Sequence, residues 1–185
     1  MCWFFLQCKL KIPKASCIKE HFMTKTIIAT GWLDKGLDKI PTNIKKESVA
    51  ILFYSSANTA KDLAYLFNHY NSFKDVIFVD MEDIDAFGTA SSEFFFKTPS
   101  IPGVTEIVDF ITINSKKELP MIVSCAAGIS RTDATVKYLK SKGYKLSSQY
   151  DTQHFVPNDY ITYLFKTIDP KYRNSEQNDQ IINIF

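Results

Sequence analysis

The stretch Pro120-Met121-Ile122-Val123-Ser124-Cys125-Ala126-Ala127-Gly128-Ile129-Ser130-Arg131-Thr132 passes from a short apolar run to a turn of small residues, and Ala134, Val136, Tyr138 and Leu139 continue it as a helix until Gly143. A short apolar run bounded by turn residues predicts a buried strand, and a strand feeding directly into a helix is half of a parallel βα unit. The loop between them gathers successive backbone N–H groups at the positive end of a helix dipole, which makes a cradle for an oxyanion. Cys125 opens that loop, in a field that favours the nucleophilic thiolate. Arg131, six residues later, is expected to fold back over the cradle and clamp two oxygens with its planar fork, which a lysine does less well. Gly128 lets the backbone turn tightly toward the anion, and Thr132 brings a hydroxyl toward the sulfur.

Working outward, the same alternation recurs. Thr26 to Thr30, Val49 to Tyr54 and Val76 to Val79 read as strands. After Asn58, a candidate cap, Thr59 to Tyr70 puts Leu63, Leu66, Phe67 and Tyr70 on one helical face. The strand at Val79 ends in the acidic cluster Asp80, Glu82, Asp83 and Asp85. From Ala86 to Ser100 runs a long connection with Phe94-Phe95-Phe96 inside it, either a lid over the site or a piece of core. Pro102 opens a helix through Val104, Ile107, Val108 and Ile111, and Pro157-Asn158-Asp159 starts a last one with Tyr160, Ile161, Leu164 and Phe165 toward the core. The pattern predicts an α/β fold with a central, mainly parallel sheet of about four to five strands and helices on both faces.

Composition narrows the function. The 185 residues are 45% hydrophobic and 23% charged, the balance of an ordinary globule. A formal charge of +2 gives no electrostatic reason to expect a nucleic-acid or membrane partner. Of the 22 basic side chains only Arg131 and Arg173 are arginines, so the position of Arg131 is a chemical choice rather than a background frequency. Cys2, Cys8, Cys17 and Cys125 contain no C-x-x-C pair, and His21, His69 and His154 are scattered, so neither a zinc site nor a disulfide framework is expected. The apolar Trp3-Phe4-Phe5-Leu6 is too short for a signal peptide, and the chain reads as reduced, intracellular and cytoplasmic. Residues 1–22 read as an N-terminal extension, 23–170 as the catalytic domain and 171–185 as a C-terminal tail.

Cys125-Ala126-Ala127-Gly128-Ile129-Ser130-Arg131-Thr132 resembles the C-x-A-G-x-S-R-[ST] signature loop of cysteine-dependent protein tyrosine and dual-specificity phosphatases. The resemblance extends more weakly from Ile77 to about Ile168 and includes Pro157-Asn158 at the start of a late helix. A signature two-thirds along the chain favours the dual-specificity type, and Met81-Glu82-Asp83-Ile84-Asp85 resembles the acidic stretch of small bacterial and phage members.

The resemblance implies a two-step hydrolysis of phosphate monoesters through a phosphocysteine on Cys125. Phosphate would be held by Ala126, Ala127, Gly128, Ile129, Ser130 and the Arg131 fork, with Thr132 assisting the sulfur. Asp83 is the first choice for the general acid and Asp85 the second. Neither metal nor cofactor is called for, and the expected partner is a phosphorylated protein or a small phosphomonoester. Two departures stand out: Ser124 replaces the histidine usual before the cysteine, and Asp133 puts a carboxylate where a small neutral residue is common. Ser124, together with the open choice between Asp83 and Asp85, motivates the rival reading of a phosphate-binding module without turnover. A further alternative keeps the catalysis and changes the substrate to a nucleotide, an inositol phosphate or an RNA 5′-phosphate.

Overall fold

The structure, a computed structural model, describes residues 25–55, 58–83, 99–147 and 156–174. The expectations for residues 1–22, for Asp85, for Phe94-Phe95-Phe96 with most of the connection from Ala86, and for the tail beyond residue 174 lie outside the described residues. In chain order the elements are β1 (Thr26–Gly31), α1 (Thr42–Glu47), β2 (Val49–Tyr54), α2 (Ala60–Asn68), a 3₁₀ turn (Tyr70–Ser72), β3 (Asp75–Asp80), α3 (Ile101–Ser115), β4 (Met121–Cys125), α4 (Ser130–Ser141), β5 (Lys145–Leu146) and α5 (Asp159–Ile168).

The five strands form one sheet in the order β3-β2-β4-β1-β5, and every pairing is parallel. This is the α/β architecture expected from the sequence. Side chains alternate between the two faces because successive Cβ atoms of a strand point to opposite sides. Ile27, Ala29, Val49, Ile51, Phe53, Met121, Val123 and Cys125 pack into one core under α3, α4 and α5. Ile28, Ala50, Leu52 and Ile122 pack into the other with Trp32, Leu37, Ile40 and Leu66. The central strand β4 is buried along its whole length, which is why it reads as an unbroken apolar run.

Several boundaries differ from the sequence reading. Thr59, not Asn58, caps α2: its hydroxyl accepts from the Asp62 amide and the Asp62 carboxylate reaches back to the Thr59 amide, a reciprocal pair. The Asn58 side chain instead accepts from the Ser55 amide at 2.7 Å. Only Leu66 of the expected apolar face of α2 is fully buried, while Phe67 and Tyr70 are 42% and 59% exposed. These two rings lie against Phe78 on the edge strand β3, where no further strand covers them among the described residues. Ser100 caps α3, so the helix starts at Ile101 and Pro102 is its second residue. Past α5 the Asp169 carboxylate accepts from the amides of Lys171 and Tyr172, and Tyr172 packs edge-on to Tyr138 at 2% exposure. The packed body therefore continues beyond residue 170, where the tail was expected to begin.

Candidate active site

In a parallel sheet the strands deliver their C-terminal ends to one edge, and loops there collect functional groups. Here β4 delivers Cys125, and its neighbour β1 delivers Gly31, paired in register with Cys125. Beyond Gly31 the chain stays beside the loop: the amides of Trp32 and Leu33 donate to the carbonyls of Cys125 and Ala126, both at 3.1 Å. Carbonyls of the loop are thus drawn toward β1. Among the described residues, none of the amides of Ala126 through Arg131 donates to an acceptor. Six backbone N–H groups between a strand end and the first turn of α4 are free to receive an anion.

The turn depends on two glycines. Gly128 has φ of +74°, and a Cβ there would lie 2.4 Å from the Gly31 nitrogen. A Cβ on Gly31 would lie 2.6 Å from the Ala127 carbonyl oxygen. Each glycine permits the other backbone to approach, so any side chain at either position displaces the loop. The sequence pointed to Gly128; Gly31 went unmarked because its partner is nearly a hundred residues away.

Arg131 is 4% exposed, and its Nη1 donates to the Met81 carbonyl at 2.5 Å. Met81 follows β3, so this bond joins the loop after β3 to the first turn of α4. Two residues on, the Asp83 carboxylate meets three groups: Oδ1 accepts from the Ser130 hydroxyl at 2.7 Å and from Asn158 Nδ2 at 3.1 Å, and Oδ2 lies 3.8 Å from Arg131 Nε. Within the acidic cluster, Asp83 meets this loop through Ser130 and Arg131, while Asp80 closes β3 opposite Tyr54. Asn158 is fully buried, caps α5 by accepting from the Ile161 amide at 2.9 Å, and donates its own amide to the Ser130 carbonyl at 3.2 Å. The sequence reading noted Asn158 only as the start of a helix.

The remaining polar groups are buried and under-satisfied. Cys125 is 1% exposed, at the base of the loop. The hydroxyls of Ser124 and Thr132 are buried without a hydrogen-bond partner among the described residues, so Thr132 does not reach the sulfur in this structure. Asp133 is 4% exposed and lies 4.0 Å from Lys137 one turn along α4. Burial pushes its carboxyl above the ordinary aspartate value, and the charges of Lys137 and Lys140 oppose the rise. Leaving such groups buried without a hydrogen bond costs about 1 to 3 kcal/mol each. No group of three or more His, Cys, Asp or Glu among the described residues is arranged to hold a metal, and no described helix is long and apolar enough to cross a membrane.

No protein-family model matches the chain, and no curated protein matches it. Among solved structures it is similar to one described as Tk-PTP in the active form, at 12% identity over 80% of this chain and 81% of the other, with a TM-score of 0.37. A likeness at that level bears on neither the reaction nor the substrate.

Proposed function

We propose that the chain is a cysteine-dependent phosphomonoesterase of the tyrosine or dual-specificity type. The observation that carries this is the free amide array from Ala126 to Arg131, opened by Cys125 and joined through Ser130 to Asp83. In the proposed reaction the Cys125 thiolate attacks phosphorus in line and the bond from phosphorus to the leaving oxygen breaks, with the Asp83 proton passing to that oxygen. Water then attacks the phosphocysteine, gives its proton to the Asp83 carboxylate and releases phosphate as the phosphorus–sulfur bond breaks. The six amides and Arg131 stabilise the equatorial oxygens in both steps. Four of the six are preorganised because the carbonyls of their peptide units are already engaged, those of Cys125 and Ala126 by the amides of Trp32 and Leu33, that of Ile129 by Asp133 and that of Ser130 by Asn158.

Phosphorylated protein is the substrate that suits this reading, and a cytoplasmic setting suits a free, buried thiol. A second reading, phosphate recognition without turnover, is favoured by two observations: Thr132 makes no hydrogen bond to the sulfur, and Ser124 offers a hydroxyl without a partner among the described residues where similar enzymes carry an imidazole. Hydrolysis of p-nitrophenyl phosphate decides between them. Turnover by the wild type that disappears in Cys125→Ser supports the enzyme, whereas phosphate binding without turnover supports the module.

A further inference from the structure

The two oxygens of the Asp83 carboxylate have unequal surroundings, and Asn158 contributes to the difference. An amide side chain has one accepting and one donating end. The accepting end of Asn158 is occupied, because its Oδ1 receives the Ile161 amide at 2.9 Å. Its Nδ2 must therefore be the atom that faces Asp83, and a nitrogen of this kind only donates. The same Asp83 oxygen, Oδ1, also receives the Ser130 hydroxyl at 2.7 Å. An oxygen receiving two donors keeps its lone pairs engaged and has no room for a proton of its own. Oδ2 lies 3.8 Å from Arg131 Nε, beyond hydrogen-bond distance, and keeps its lone pairs open.

Building on the phosphatase reading, we propose that Asn158 is a positioning residue that orients the Asp83 carboxyl, reserving Oδ2 as the atom that gives its proton to the leaving oxygen and later takes one from water. The device is rigid for a local reason. Asn158 is fully buried and is the N-cap of α5, and its backbone N–H holds the Ser130 carbonyl at 3.2 Å. One residue thereby ties the cap of α5, the start of α4 and the loop after β3 together. The acid is set by its neighbours on α4 and α5.

Asn158→Asp tests this because aspartate caps a helix as well as asparagine does, yet it replaces the donor by a second carboxylate. The substrates are phenyl phosphate, whose leaving oxygen needs the proton, and p-nitrophenyl phosphate, whose leaving oxygen needs it far less. The expected result is a fall in kcat on phenyl phosphate of at least about tenfold with a clearly smaller fall on p-nitrophenyl phosphate, little change in KM, and a displaced alkaline limb of the rate profile. Asn158→Ser, which also caps α5, shows the same dependence on the leaving group, so the result does not rest on the folding of one variant. Equal losses on the two substrates, or none, overturn the assignment and leave the phosphatase reading standing. A wild type that hydrolyses neither substrate overturns both.

Discussion

The two ends of α4 are built on opposite principles. At its C-terminal end the orphan groups are paired: the amide of Lys142 donates to the Leu139 carbonyl, Gly143 adopts φ of +84° and donates to Lys140, and the Tyr144 amide returns to Leu139. Side chains there close on one carboxylate. Asp169 accepts from the Tyr138 hydroxyl at 2.9 Å and from Lys142, and it also caps the turn that follows α5. At the N-terminal end no side chain caps the helix, the amides from Ala126 to Arg131 find no acceptor among the described residues, and Thr132 and Asp133 each have a buried oxygen without a hydrogen bond among the described residues. Within one helix, then, the backbone groups are paired at one end and left without acceptors at the other, although the Tyr144 hydroxyl past the C-terminal end is also buried without a partner among the described residues. Unpaired buried groups are costly. Their concentration where Cys125 and Arg131 lie is what a site awaiting an anion looks like.

Breaking the N-terminal end should remove chemistry and spare the fold. Arg131→Lys keeps the charge and loses the fork, and turnover on aryl phosphates is expected to fall by about 10² to 10³ with the melting temperature little changed. Asp83→Asn is expected to lower turnover about tenfold to 10² and to abolish the alkaline limb, because a general acid must be protonated and its rate declines as pH rises through its titration. An unchanged limb would move the role to Asp85.

Breaking the C-terminal end should do the reverse. Asp169→Ala is expected to destabilise the protein by about 2 kcal/mol, through the unpaired Tyr138 and Lys142, while kcat stays near wild type. The sign with pH follows from its environment. Burial alone would raise the Asp169 carboxyl, but hydrogen bonds from Lys142 and Tyr138 and the Lys142 charge outweigh it and hold the group below its ordinary value. Its contribution is therefore present above the unfolded aspartate value of about 3.9 and is lost as pH falls through the lower folded value, so the gap between wild type and variant narrows in acid. Denaturant melts at several pH values measure this.

The smallest effect sharpens the contrast from the other side. Asp133 is held above its ordinary value, so it binds a proton more readily folded than unfolded and its ionisation costs stability as pH rises. Asp133→Asn is expected to raise the melting temperature by a few degrees at neutral pH and by less in mild acid. A loss of stability at neutral pH would mean that the contact with Lys137 outweighs the burial cost.

Much of this asymmetry was legible in the sequence. The passage from Met121 to Thr132 shows a strand, a glycine turn and a helix by local rules alone, and one arginine among many lysines marked the fork. The choice of Asp83 among the acidic residues rests on the resemblance to the family's acidic stretch rather than on local rules. What they could not supply was pairing at long range. Gly31 matters because its backbone meets Gly128, and Asn158 matters because its amide meets Asp83, contacts separated by 97 and 75 residues. The two-residue β5 and the six-residue α1 escaped because neither is long enough to show a period. Phe67 and Tyr70 share a helical face with Leu66 by spacing, and spacing cannot tell that β3 is an edge strand, against which these two stay exposed. Asp133 was flagged as an oddity, and only the structure shows that it is buried beside Lys137 rather than solvated.

The most direct test of the account is to trap the intermediate. Wild-type protein mixed with an aryl phosphate and quenched during turnover, then digested and analysed by mass spectrometry, should yield the peptide containing Cys125 with one phosphoryl group, and Cys125→Ser should yield neither this adduct nor turnover. Turnover persisting in Cys125→Ser, or phosphate found on another residue, would contradict it.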